Sequence, residues 1–188
     1  ALVHELQKER GFSAGHVSSE GRNFVVDLPY QRADTDTVLS RFGNETTLLR
    51  SQQPALFREI DAQLAELAAW RGRISGINTT VPELAGFYTG IITDLLHLQF
   101  SEVTELTQTD LLASFLAATH VALAKESAGL ERAMGATGLG RGAFSIPLYT
   151  RFTNLNYGLI VELNAAAEEL HDDGYVARLV SLPSAITL

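Results

Sequence analysis

Cysteine is missing altogether from these 188 residues, which excludes thiolate catalysis, zinc-thiolate sites and disulfides and fits an extracytoplasmic bacterial domain. Long apolar runs are missing too: none approaches the roughly 20 residues that a membrane span needs, and no signal peptide is visible. Positive charge is scarce. Fourteen Lys and Arg stand against 22 Asp and Glu, giving a formal charge of -8 and a pI near 5.1, so neither nucleic acid nor an anionic membrane surface is expected as main partner. Any anion site must therefore be local. No segment alternates apolar and polar residues for long enough to make a strand. The five histidines form no i, i+4 pair, and Glu168-Glu169-Leu170-His171 lacks the second Glu-x-x-His that a di-iron bundle needs, so neither a metal nor a cofactor is expected.

What the sequence does have is helical periodicity and 46% hydrophobic residues, enough for a substantial core in one domain or two tightly packed halves. A first helix is expected over about 1–17, ending in Ser18-Ser19-Glu20-Gly21. A second runs over about 22–42, with Pro29 pointing to a start near Asp27. Ser51, with Pro54 in the first turn, is expected to cap a third, striped by Leu56, Ile60, Leu64 and Leu67 and closed by Gly72 to Gly76. Thr79 or Thr80 caps a fourth through Leu98. Thr109 caps a fifth, long helix carrying Phe115, Ala118 and Ala122 and ending in Gly138 to Gly142. Ser145 and Pro147 open a sixth to about His171, and a short seventh starts near Gly174 and stops before Pro183. The expected fold is all-α, two packed antiparallel helical bundles of about six to eight helices, with halves near 1–105 and 106–188. The chain opens on Ala1 without a cap, as a piece cut from a longer helix would.

Two stretches organise the chain. Val3, Leu6, Ser13 and Val17 fall on one face of the first helix, and Arg10 shares it, so its guanidinium is expected to point inward. Downstream, Lys125, Gly129, Arg132 and Ala136 share a small-residue face carrying two cations, which makes Arg132 a second inward candidate. Aligned on the acid-cation pair, Glu9-Arg10-Gly11-Phe12 matches Glu131-Arg132-Ala133-Met134. Each block is followed by a proline and then an arginine, in Leu28-Pro29-Tyr30-Gln31-Arg32 and Ile146-Pro147-Leu148-Tyr149-Thr150-Arg151. A duplicated helical hairpin would read this way.

Gly11-Phe12-Ser13-Ala14-Gly15 also spells the G-x-S-x-G of a serine-hydrolase elbow. That chemistry needs a strand before the turn, whereas the residues before Gly11 read as helix, so small residues for close helix packing are expected instead and no enzyme. Gly135 to Gly142 follows a helix and lacks the Gly-Lys-Ser/Thr ending of a phosphate loop.

Together, Leu2-Val3-His4-Glu5-Leu6-Gln7-Lys8-Glu9-Arg10-Gly11 with Ser13-Ala14-Gly15, Phe24, Gln31-Arg32 and Thr35-Asp36, then Lys125-Glu126 through Ala133 with Phe144, resemble the nitrate- and nitrite-sensing (NIT) domain across most of the chain. The resemblance implies an all-helical sensor of two bundles that binds nitrate or nitrite between them through arginines. Arg10 and Arg132 are the expected ligand groups, with Lys125, Arg32 and Arg151 shaping the local potential. Guanidinium suits such anions, whose oxygens are spaced like a carboxylate's and can accept two parallel hydrogen bonds. The resemblance further implies the periplasmic sensor of a membrane receptor, such as a methyl-accepting chemotaxis protein, paired as a homodimer and relaying a helix rearrangement to an output module. The membrane would be met only through flanking segments. The family also occurs in soluble transcription antiterminators. Pro183 and the stop at Leu188 leave little room for a further arginine of the family, so either Arg178 substitutes or that residue is expected beyond this fragment. The alternative is a structural or protein-docking bundle whose arginines pair internally.

Overall fold

A computed structural model describes residues 1–103, 109–140, 143–172 and 174–181. Among them the fold is all-α: α1 (Leu2–Ser18), α2 (Asp27–Glu45), α3 (Thr47–Gln52), α4 (Pro54–Ala65), α5 (Leu67–Ser75), α6 (Val81–Val103), α7 (Thr109–Gly140), α8 (Ile146–Glu169) and α9 (Tyr175–Ser181). The chain divides into two compact units, Ala1–Leu98 and Gln99–Leu188.

In the first unit, α1 and α2 form an antiparallel hairpin, as the pairing of Glu5 with Gln31 and of Gly15 with Phe24 requires. The turn between them uses left-handed backbone at Glu20, Gly21 and Phe24 and is tied back by His16 Nδ1 on the Asn23 carbonyl at 2.9 Å. Thus folded over, the Phe24 ring fills the space beside Gly15, where an added Cβ would lie 2.2 Å from Phe24 Cε2. A Cβ on Gly11 would meet nothing within 4 Å. Gly15→Ala is therefore expected to destabilise the fold by about 1 to 3 kcal/mol by overpacking, while Gly11→Ala should stabilise it by roughly 0.5 to 1 kcal/mol through helix propensity. Thermal unfolding of the two variants checks this, and shifts of the same sign would refute the close approach.

Helices α4 and α5 run antiparallel to α6, with Gln63 Nε2 donating to Asp94 Oδ2 at 2.7 Å and Trp70 stacked on Phe87 at 4.8 Å. The expected single third helix is a correction. Ser51 lies inside α3, donating to the Leu48 carbonyl, and Gln53 is the residue before α4. Pro54 disfavours helical backbone at the residue before it, and Gln53 sits at φ -125, ψ 58. A second break falls at Glu66, whose N–H bonds Gln63 three residues back. Helix α6 starts as expected, with Thr80 and Glu83 bonding each other's backbone N–H in a capping box. Leu6, Ile60, Ile74, Leu84, Ile91 and Ile92 are fully buried, each contributing roughly 1.5 to 3 kcal/mol.

In the second unit α7 and α8 pack antiparallel, with Gly135 against Phe152, Asn156 donating to Glu131 Oε1 at 3.3 Å and His120 Nδ1 on Glu162 Oε2 at 2.7 Å. Ser145 caps α8 as expected, accepting from Leu148 N with Pro147 in the first turn. Ala117, Thr119, Ala124, Leu130 and Met134 are buried, whereas Ala118 is exposed. The residues that would define Thr109's capping role, the Arg141-Gly142 end of the glycine-rich run and Pro183 lie outside the described residues.

Candidate functional site

The first Glu-Arg pair is buried as a unit. Glu9 has no exposure and Arg10 only 2%, on an α1 face that also buries Leu2, Leu6, Ser13, Ala14 and Val17. The Gly11-to-Gly15 stretch lies within this helix with Ser13 fully buried, so the strand-turn-helix of a nucleophile elbow is not formed.

Helix α5 supplies the partner for Glu9. Arg71 donates from Nε and Nη2 to Glu9 Oε1 and Oε2 at 2.8 and 2.9 Å, a bidentate fork, and from Nη1 to Asp36 Oδ1 of α2 at 2.7 Å. From α6, the fully buried Tyr88 hydroxyl donates to Glu9 Oε1 at 2.8 Å. Arg32 of α2 places Nε 3.9 Å from Glu9 Oε1 and donates to Ser75 Oγ at 2.9 Å and to the Arg71 carbonyl at 3.2 Å. Four helices thus meet on one carboxylate.

The electrostatics follow. Burial alone would raise the Glu9 carboxyl, but the hydrogen bonds and charge of Arg71 outweigh it and hold the group below its usual 4.5. Tyr88 is pushed upward by burial and by the Glu9 charge. Arg71 is raised, because Glu9 and Asp36 outweigh its burial, while burial lowers Arg32.

Arg10 points from the same turn of α1 to α6, donating from Nη1 to Thr89 Oγ1 at 3.0 Å. Its burial agrees with the helical register. Arg32 is brought to the same end of the first unit, but as part of the Glu9 network. In the second unit Lys125 and Arg132 on α7 and Arg151 on α8 are exposed. The inward placement of Arg132 is thus a correction: α7 buries Ala124, Leu130 and Met134, and the track holding Lys125, Gly129 and Arg132 falls on another side. Small residues at helical spacing do not by themselves say which side is covered. The two Glu-Arg pairs accordingly stand in different surroundings.

Sequence reasoning missed Arg71 and Tyr88. The signal for Tyr88 was its place on the apolar stripe of α6, where a buried hydroxyl needs a partner. Arg71 gave no comparable signal, standing between Trp70 and Gly72 in a stretch expected to be a helix end.

A family profile described as nitrate and nitrite sensing matches residues 1–186. A nitrate regulatory protein of Klebsiella oxytoca is 33% identical over 149 residues, 77% of this chain and 38% of the relative. The solved structure of the NasR transcription antiterminator superposes with a TM-score of 0.88 at 28% identity, over 96% of this chain and 50% of that one. The chain therefore spans half or less of the length of these relatives. The expected placement in the periplasm is corrected by them: both are regulators by name, one of transcription, and neither is named as a membrane receptor. Among the described residues no helix is long and apolar enough to cross a membrane.

Proposed function

Because the chain belongs to the nitrate and nitrite sensing family, we propose that it binds nitrate or nitrite through guanidinium groups, with Arg10 the principal ligand in the first unit and Arg132 in the second. The observation that carries this is Arg10 itself. A guanidinium only 2% exposed, with Nη1 on a neutral hydroxyl, sits where a small univalent anion could compete with water, since charge-assisted bonds gain strength as water is excluded. Lys125 and Arg151 add positive potential in the second unit. Arg32 belongs to the network that fixes the turn of α1 from which Arg10 projects. The names of the relatives favour control of transcription over chemotaxis.

The reading as a structural bundle with internally paired arginines has one observation in its favour, the engagement of Arg32 and Arg71 with Glu9. Ligand linkage separates the two. Nitrate at a hundredfold excess over its dissociation constant should stabilise the fold by about 2.7 kcal/mol, with chloride far less effective. Equal shifts for nitrate, nitrite and chloride in thermal unfolding at matched ionic strength would leave only a general salt effect and defeat the proposal.

A further inference from the structure

Adjacent residues of α1 and α6 are joined rung by rung: Tyr88 donates to Glu9, and Arg10 donates to Thr89 Oγ1 at 3.0 Å. Tyr88 is fully buried, while Thr89 is half-buried, at the rim of the face that α6 turns to the core of the first unit. By register, Gly86 and Thr93 are its neighbours on the outward side. A Cβ on Gly86 would meet nothing within 4 Å among the described residues, so the first unit leaves room beside Thr89 on that side.

Thr89 also uses its proton differently from Thr35, Thr37, Thr119 and Thr153. Each of those donates to the carbonyl four residues back, at 2.9 to 3.2 Å, which satisfies a hydroxyl within its own helix. Among the described residues the one hydrogen bond of Thr89 is the one it accepts from Arg10, so its own O–H remains to donate elsewhere. Accepting from a cation polarises that O–H and strengthens it as a donor. A buried guanidinium and an uncommitted hydroxyl proton thus stand side by side at a partly open rim.

We propose that Thr89 is a second donor of the anion site and selects an oxyanion over a halide. The inference rests on the reading of Arg10 as a ligand group. Arg10 Nη1 and Thr89 Oγ1 lie 3.0 Å apart on different helices. Nitrate or nitrite brings two oxygens, so the guanidinium and the hydroxyl can each meet an acceptor of their own in line. A halide brings one centre, which has to sit between the two donors with both bonds bent, and bent hydrogen bonds weaken steeply. The hydroxyl adds this discrimination without adding charge. A further cation in its place would strengthen the binding of every anion alike.

Titration of the 188-residue chain with nitrate and with bromide, followed by thermal unfolding at matched ionic strength, tests the proposal on Thr89→Val and Thr89→Ser. Valine keeps the shape of the side chain and loses the hydroxyl, whereas serine keeps the hydroxyl. Thr89→Val should weaken nitrate binding by about tenfold or more and bromide binding by no more than about twofold. Thr89→Ser should recover most of the lost nitrate affinity. A fall of equal proportion for the two anions in Thr89→Val overturns the proposal, because Thr89 would then only hold Arg10 in place. Unchanged nitrate affinity in Thr89→Val overturns it as well. Should Thr89→Val not fold, Thr89→Ala is held to the same outcomes. Failure of the underlying reading looks different: the native chain would itself respond alike to nitrate and bromide, before any substitution, and the selectivity assigned to Thr89 would fall with it.

Discussion

Glu9→Gln should lower the stability of the fold by about 3 to 5 kcal/mol at neutral pH. The substitution keeps the shape of the side chain but removes the charge that Arg71 grips through two hydrogen bonds and that Arg32 faces at 3.9 Å. Breaking a buried pair from one side strands the other charge, and desolvation then dominates the energy. Asp36 still meets Arg71 at 2.7 Å, which argues for the lower end of that range. The pH dependence gives a second signature. The folded-state pKa of Glu9 lies below its usual 4.5, so the pair contributes fully above about pH 4.5 and is lost as pH falls through the lower, folded value. The gap between wild type and Glu9→Gln should therefore be constant from about pH 6 to 8 and narrow in acid. Denaturant unfolding at neutral and acid pH measures both. Equal midpoints at about pH 7 would mean that the carboxylate is structurally dispensable.

Nitrate-dependent stabilisation should disappear in Arg10→Ala and should not return in Arg10→Lys. The expected loss is one or two charge-assisted hydrogen bonds of roughly 1.5 to 3 kcal/mol each, or about tenfold to ten-thousandfold in affinity. Lysine keeps the charge but offers a compact ammonium in place of a planar fork, so it cannot give two parallel donors to one anion. The effect on the unliganded protein separates a binding role from a structural one. If the anion is the main partner of Arg10, removing the guanidinium should cost the apo fold little. A structural role predicts a less stable apo protein with no nitrate response to lose. Calorimetric titration of wild type and both variants decides, and unchanged nitrate binding in Arg10→Ala eliminates this residue as the ligand group. The same titration on Arg132→Ala tests the proposed ligand group of the second unit independently.

These two outcomes concern neighbouring residues with opposite expectations, which reflects how differently the chain uses them. Glu9 is satisfied from three other helices and acts as a clamp. Arg10 projects from the turn that the clamp holds. A weakened clamp should thus reduce nitrate affinity less than it reduces stability, whereas removal of Arg10 should do the reverse.

The sequence by itself determined the all-α class, the hairpin of α1 and α2, the Thr80 and Ser145 starts of α6 and α8, and the burial of Arg10. Each depends on residues within a few turns of one another: periodicity selects a face, and a hydroxyl or a proline marks a helix start wherever the helix later docks. Only the tertiary structure decided that Glu9 is buried with Arg71 and Tyr88, 62 and 79 residues away, that the expected third helix is broken at Gln53 and Glu66, and that Lys125 and Arg132 face outward. A helical register shows that two cations share a side with glycine and alanine, but such a side is compatible with either packing or solvent. Which one it meets depends on the helix that arrives. A buried charge likewise declares its need for a partner locally, while the partner is chosen by the packing of helices far apart in the chain.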